Sequence, residues 1–308
     1  MGCVREKIVI RKKLIDMLDG RKICLFIATT CTLLYLISDY SYDLAIYCAK
    51  HSTFVVGRIT PNVTYTTYKD MVHQFHWLQN GGHYKPAYSC FPSQKVAIII
   101  PFRNREYHLR ILLNNLHPML YRQQIEYSVY VLHQADEKGF NKGKLYNIGY
   151  IQAIKRNHTC FVFHDVDLIP ENDRILYGCT QSPMHLSRAI DKFSYRLPDN
   201  KLIGGVSVWR RKEFEMVNGW SNLFINWGGE DDDMSYRIMA NGLSIYRFKN
   251  SVARYKMLTH KQEIVNTKRY TLLEDSHSRY KVDGLSSLTY TDLKTTEYSL
   301  FTRVSVIL

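Results

Sequence analysis

The sequence has no internal repeat, no low-complexity tract and no GxGxxG fingerprint, which argues against a solenoid, a disordered chain and a dinucleotide site. Gly 16 and Pro 8 in 308 residues are too few for a collagen-like chain. Acidic charge is scarce, with Asp+Glu 28 against Lys+Arg 41 and a formal charge of +13. Arg5, Lys7, Arg11, Lys12, Lys13, Arg21 and Lys22 crowd into residues 1–22 against Glu6, Asp16 and Asp19, which leaves +9 for the remainder. That excess suits anionic ligands but is no nucleic-acid stripe, so no nucleic acid is expected as a partner. Position 6 is Glu, so Met1-Gly2-Cys3 is a weak acylation signal.

A hydrophobic content of 45% with 22% charged residues is that of a globular protein, and the length suits one large α/β domain or two average ones. Tyr 23 is high, and tyrosines pack well at carbohydrate or protein surfaces. Residues 23–38 carry no charge, follow Arg21-Lys22 and stop at Asp39. Sixteen residues fall between a signal-peptide core and the roughly 20 of an average span. No small-x-small cleavage site follows, and Tyr35 and Tyr40 stand where an interfacial belt would, which favours a signal anchor over a cleaved peptide. The basic flank then puts 1–22 in the cytosol, 23–38 in the membrane, a stem at 39–70 and a luminal body at 71–308. Cys48, Cys90, Cys160 and Cys179 are an even number for an oxidising compartment, with three possible pairings. Asn62-Val63-Thr64 and Asn157-His158-Thr159 are acceptor sequons for N-glycosylation.

The body opens at Lys95 with KVAIIIPFRNR, a continuous apolar run that reads as a strand buried on both faces. Residues 106–120 carry helical spacing, 127–132 form a second strand, 144–155 a second helix and 160–166 a third strand. The alternation predicts an α/β fold with a mainly parallel sheet flanked by helices, whose ligands bind beyond the carboxyl ends of the strands. Arg103 and the pair Asp165 and Asp167 sit at those ends. Two carboxylates one residue apart can hold Mg²⁺ or Mn²⁺ and through it a diphosphate, or simply cap a turn. In Trp227-Gly228-Gly229-Glu230-Asp231-Asp232-Asp233 an aromatic precedes four acids at a helix start. One or two acids would satisfy the helix dipole; four repel one another, which calls for a ligand or a raised pKa and so for a general base. Met257-Leu258-Thr259-His260 by itself reads as a packed Met and a surface His. Phe140-Asn141-Lys142-Gly143-Lys144 reads equally as a base-and-phosphate loop or a solvated helix start.

Together KVAIIIPFRNR, FNKGKLYNIGY, CFVFHDVDLIPEND, IGGVSVW, NGWSNLFINWGGEDDDMSYRI and VDGLSSLTY strongly resemble the β-1,4-galactosyltransferase family, glycosyltransferase family 7. The resemblance runs from about Cys90 to Tyr290. It implies a GT-A-like fold of Rossmann type behind one N-terminal transmembrane helix, in an inverting, Mn²⁺-dependent, single-pass type II Golgi enzyme. Its metal ligands would be Asp167, Met257 and His260. Donor contacts would be Pro101, Phe102, Arg103, Arg105, Phe140, Lys142, Asp165, Val166, Lys192, Leu202, Gly205 and Trp227, with Lys142 in place of the family's Arg. Asp231 would be the catalytic base, with Glu230 beside it, and Gly229, Glu230, Asp231, Asp232, Arg269 and Tyr270 would surround the acceptor. A loop over about 258–276 would close over the donor with His260 at its hinge. The family's disulfides would be Cys48–Cys90 and Cys160–Cys179. Ile225-Asn226 replaces the usual Trp-Gly before Trp227.

The donor sugar is the finer question. At position 202 galactose-specific members carry Tyr, whereas Leu202 leaves room at C2 for an N-acetyl group. The resemblance therefore implies transfer of N-acetylgalactosamine, with galactose or N-acetylglucosamine as alternatives, from a UDP-sugar to O4 of an acceptor glycan ending in N-acetylglucosamine. Two other classes stay in view: a silent lectin-like subunit, which intact Asp167, His260 and Asp231 disfavour, and a metal-dependent phosphohydrolase, which would lack a lid at Trp227.

Overall fold

The computed structural model describes residues 54–87, 94–261 and 263–308. The tail, the uncharged run, Tyr35, Tyr40, Cys48 and Cys90 lie outside the described residues, and with them the Cys48–Cys90 pairing. Among the described residues no helix is long and apolar enough to cross a membrane.

Strand β1 (Lys95–Phe102) is buried from its second residue onward, as its unbroken run of Val, Ala and Ile requires in a sheet covered on both faces. It pairs in parallel with β2 (Glu126–Gln134) on one side and β3 (Cys160–His164) on the other. Helix α2 (Glu106–Gln123) crosses from β1 to β2, and α3 (Lys142–Ile154) from β2 to β3. A short helix α1 (Tyr68–Gln74) precedes them, capped by the Thr67 side chain. Asn141 caps α3 by accepting the Lys144 N–H at 2.9 Å. Gly149 lets α3 lie directly on Ile99 and Leu132 of the sheet, where a Cβ would collide.

Beyond β3 the sheet is more mixed than expected. Its order is β10-β11-β2-β1-β3-β7-β5-β8, with β5 (Met184–His185), β7 (Val206–Arg210), β8 (Tyr246–Arg247), β10 (Thr291–Glu297) and β11 (Thr302–Ile307). β7 runs antiparallel to both β3 and β5, and β10 antiparallel to β11, so parallel pairing is confined to β11-β2-β1-β3 and β5-β8. A second sheet, β4 (Leu168–Pro170), β9 (Arg254–Met257) and β6 (Ala189–Ile190), crosses the carboxyl end of β3. Strands of two to four residues carry no periodicity that a sequence window can detect. Helices α4 (Arg211–Met216), α5 (Glu230–Ala240), α6 (Arg269–Glu274) and α7 (Ser276–Arg279) complete the fold. Cys160 and Cys179 form a disulfide, S–S 2.05 Å.

Part of the segment expected as stem touches the body. Val56 and Gly57 donate their N–H groups to the carboxylate of Asp173 at 3.0 and 2.6 Å, and Arg122 of α2 donates Nε to it at 2.7 Å. Asp173 is fully buried. Asp173→Ala removes the acceptor of two backbone amides and one guanidinium bond, so we expect a loss of about 2–3 kcal/mol and a clearly lower Tm. An unchanged Tm would remove Asp173 as the tie between this segment and α2.

Candidate functional site

The site is built where β1, β3 and the antiparallel return strand β7 bring loops together. After β1, whose Pro101 and Phe102 are buried, Asn104 takes a left-handed turn and Arg105 caps α2. Arg103 turns back to donate to the carbonyls of Asp136 and Lys138, and its guanidinium lies 5.3 Å from the Phe140 ring. Arg105 reaches across to Glu263 at 2.9 Å and His108 to the Thr259 carbonyl at 3.2 Å, so the first turns of α2 hold the 259–263 loop.

At the end of β3, Asp165 donates its N–H to the Gly205 carbonyl at 2.9 Å and accepts the Tyr146 hydroxyl at 2.9 Å. Val166 and Asp167 follow, both half-buried. The small sheet places Met257 opposite Leu168, and Leu258 donates its N–H to the Asp167 carbonyl at 2.8 Å. His260 Nε2 then meets the Asp167 carboxylate at 2.8 Å. That hydrogen bond, working against partial burial, raises the His260 pKa. The β4–β9 ladder and the Leu258 N–H thus bring the chain at Met257 beside the Asp167 segment, and His260 reaches Asp167 directly. Among the described residues no three His, Cys, Asp or Glu side chains are grouped so as to hold a metal ion. Asp167 and His260 fit a divalent cation: a carboxylate and an imidazole already share one proton, and a metal can replace it.

Two acids of α5, Glu230 and Asp231, gather with Asp165 around a single cation. Lys142, the first residue of α3, lies 2.8 Å from Glu230, 3.2 Å from Asp231 and 3.7 Å from Asp165. Burial works against its charge, but Asp165, Asp231 and Glu230 outweigh it and hold the ammonium well above its usual range. Burial pushes Asp231 up to about 7, with Lys142 pulling it down and Glu230 and Asp165 pushing it further up. Asp165 is raised as well, by burial first. Two glycines permit this approach. Gly229 caps α5 at φ 98°, a conformation that side chains rarely adopt, and a Cβ on Gly204 would collide with the Asp231 carboxylate. Leu202 lies two residues before Gly204, its carbonyl accepting from Arg247 at 2.7 Å.

Trp227 is half-exposed, and its backbone pairs with the 258–276 segment: its N–H donates to Ile264 and its carbonyl accepts from Asn266, both at 2.9 Å. The Arg269 guanidinium lies 5.3 Å from the indole, 4.7 Å from the Tyr270 ring, and donates to the Tyr270 hydroxyl at 2.9 Å. Asp232 is exposed, its pKa raised by partial burial and then by Glu230. Lys192 is exposed too, its ammonium 5.9 Å from Phe193, while the adjacent Asp191 accepts the Met257 N–H at 2.9 Å. Asn62 and Asn157 are both exposed, as an attached glycan needs.

Four contributors escaped sequence reasoning: Tyr146, Asp191, Gly204 and Asn226. Asn226, at φ 67°, exchanges hydrogen bonds with Phe140, N–H to carbonyl at 2.7 Å and side-chain oxygen from the Phe140 N–H at 3.2 Å. Only Asn226 had a signal, as one of the two departures before Trp227.

Residues 48–180 match the N-terminal region of glycosyl transferase group 7, and residues 184–261 match a region described as the N-terminal domain of galactosyltransferase. The chain belongs to glycosyl transferase group 7. It is 44% identical over 231 residues to β-1,4-galactosyltransferase 2 of Cricetulus griseus, covering 73% of this chain and 62% of that one. It is 40% identical over 266 residues to β-1,4-galactosyltransferase 5 of Sus scrofa, covering 84% and 68%. The match thus spans about three-fifths of the first of these relatives. Among solved structures, the catalytic domain of Drosophila β-1,4-galactosyltransferase 7 in complex with xylobiose aligns with TM-score 0.61 and 28% identity, over 70% of this chain and 94% of that one. A mutant of the same enzyme, solved with manganese, UDP-Gal and xylobiose, aligns with TM-score 0.60 and 29% identity, over 70% and 94%.

Gly204→Ala forces a methyl group against the Asp231 carboxylate. We expect a loss of about 1–3 kcal/mol, read as a lower Tm, because Asp231 or the β7 approach must shift. A Tm equal to that of the parent would contradict the close approach.

Proposed function

We propose that this chain is an inverting glycosyltransferase that moves a sugar from a UDP-sugar to a hydroxyl of a glycan acceptor. The carrying observation is a half-buried carboxylate, Asp231, 3.2 Å from the Lys142 ammonium at the open end of the sheet, with desolvation, Glu230 and Asp165 pushing its pKa up to about 7. A carboxylate with that pKa is half-ionised at neutral pH, which suits a general base for a sugar hydroxyl. As Asp231 takes the proton, the acceptor oxygen attacks the anomeric carbon from the face opposite the diphosphate, turning an α-linked donor into a β-linked product. Lys142 keeps part of the Asp231 population ionised and offsets the charge of Glu230 and Asp165. Trp227, Arg269 and Tyr270 offer stacking faces for sugar rings and exclude water as the 258–276 segment closes. Arg103 and Phe140 form a cation and ring platform for the uridine diphosphate. Asp167, His260 and Met257 would hold Mn²⁺, which supplies positive charge to the departing diphosphate.

Within that reading we assign N-acetylgalactosamine as the donor sugar, O4 of a terminal N-acetylglucosamine as the acceptor atom and a β-1,4 bond as the product. Leu202 supports the donor by size. Galactose is the second reading, favoured by the β-1,4-galactosyltransferase relatives and by the UDP-Gal bound to the Drosophila enzyme. The setting we propose is the Golgi lumen, with residues 23–38 as a single anchor, N-terminus in the cytosol. The Cys160–Cys179 bridge supports an oxidising compartment.

The test is direct. With Mn²⁺ and a β-linked N-acetylglucosamine acceptor, Asp231→Asn should lose at least about 100-fold in kcat while binding of UDP with Mn²⁺ persists; near-parental turnover would remove Asp231 as the base. In the same assay UDP-N-acetylgalactosamine should outpace UDP-galactose, and Leu202→Tyr should shift that ratio towards galactose by about tenfold or more. A parental preference for galactose would leave the transferase reading intact and overturn the donor assignment.

A further inference from the structure

A cavity of about 430 Å³ opens between α1, the first turn of α2 and the β10–β11 hairpin. That volume falls in the usual range of ligand pockets, about 300–1,000 Å³. Tyr68 and Lys69 of α1, Glu106 of α2, and Tyr298, Phe301 and Arg303 of the hairpin line it. It lies on another face of α2 from the site described above. Arg105 and His108 turn to the 259–263 loop, whereas Glu106 and Arg110, one helical turn apart, turn to α1, with the Arg110 guanidinium 4.1 Å from the Tyr68 ring.

The wall is positive and aromatic. Glu106 is the one acid among the described residues that line the cavity, and Arg110 already holds its Oε1 through Nε at 3.2 Å. Arg303 Nη2 stands 4.0 Å from Oε2, at the outer edge of ion pairing, and its side chain is partly exposed. Lys69 is exposed as well. Two cations therefore face the cavity against one carboxylate that is shared with a third. The Arg303 guanidinium lies 5.7 Å from the Tyr298 ring and 5.8 Å from Phe301. Phe301 is buried beneath, Tyr68 tilts against it at 5.8 Å, and Tyr298 is 44% exposed. The aromatic surface continues past the cavity: Arg110 lies 5.1 Å from the Tyr65 ring, which stacks on Tyr107 at 6.2 Å, and both tyrosines are exposed.

We propose that this cavity binds an acidic sugar, a pyranose carrying a carboxylate of the uronic or sialic type, with its C–H face on Tyr298, its carboxylate on Arg303 and Lys69, and ring hydroxyls on Glu106 and Ser299. Each part of the ligand follows from the wall. An exposed tyrosine ring suits the apolar face of a sugar, and the planar guanidinium fork suits a carboxylate. Glu106 accepts from hydroxyls, and the Ser299 hydroxyl both donates and accepts. A neutral sugar would leave the positive charge unanswered, and an aromatic carboxylate without hydroxyls would leave Glu106 and Ser299 unused. Tyr65 and Tyr107 extend the surface for further sugars of one chain. Nothing in this inference depends on the transferase reading.

Calorimetric titration of the full chain, at pH 7 and constant ionic strength, tests it. The ligands are methyl β-glucuronide, the methyl α-glycoside of N-acetylneuraminic acid, methyl β-glucoside and benzoate. At least one acidic sugar should bind saturably and about fivefold or more tighter than the glucoside and benzoate, and the tighter of the two names the source of the carboxylate. Arg303→Gln and Lys69→Gln should each weaken that binding about threefold or more. Lys69 is exposed, so its variant keeps the test open should Arg303→Gln fail to fold. Tyr298→Ala should weaken binding too, and Trp227→Ala should leave it unchanged. No saturable binding of either acidic sugar would overturn the proposal. So would equal affinity for the glucoside or benzoate, parental affinity in both charge variants, or loss of binding in Trp227→Ala.

Discussion

One ammonium group holds the site together. Lys142 Nζ touches carboxylates that come from two separate parts of the chain, Asp165 at the end of β3 and the Glu230–Asp231 pair at the start of α5. Without it three acids would crowd a poorly solvated space, and mutual repulsion would drive protons on or push α5 away from the sheet. A lysine so placed is fixed by its own helix start: Asn141 caps α3 and sets Lys142 as its first residue. The capping of one helix thereby sets the electrostatics of another.

The rest of the site is joined to that arrangement by backbone pairing and by side chains that reach across the chain. Asn226 ties the Trp227 turn to Phe140, two residues before Lys142. Trp227 in turn pairs with Ile264 and Asn266, and Arg105 and His108 hold the other end of that segment through Glu263 and Thr259. The metal-type donors Asp167, Met257 and His260 belong to the same frame, because the β4–β9 ladder fixes Met257 and Asp191 secures its amide. Behind α5 a buried set of charges, Asp233, Arg237, Arg279 and Asp283, anchors the helix from its other side.

Much of this was legible from residue patterns, and the remainder was hidden for identifiable reasons. β1, β3 and α2 follow from a continuous apolar run or a helical repeat, and each lies within a few residues of its expected bounds. The antiparallel return through β7 and the small sheet were not legible, because their pairings join short segments far apart in sequence. The acid clusters were conspicuous as composition, yet composition does not say which cation answers them. Lys142 reads as an exposed or phosphate-facing lysine, since lysine is seldom buried, and only the fold brings it to three acids. Tyr146, Asp191 and Gly204 are ordinary residues whose roles come wholly from tertiary position.

The central claim is that Lys142 tunes the ionisation of Asp231. The measurement that tests it most directly is the pH dependence of kcat/KM for sugar transfer, in the parent chain and in Lys142→Met. With Asp231 as the proposed base, transfer needs it ionised, so activity should rise with pH through a midpoint near 7 in the parent. Lys142 lowers the Asp231 pKa, and its removal should move the midpoint to higher pH and reduce the rate at neutral pH. A midpoint that stays in place or moves towards acid would contradict the account.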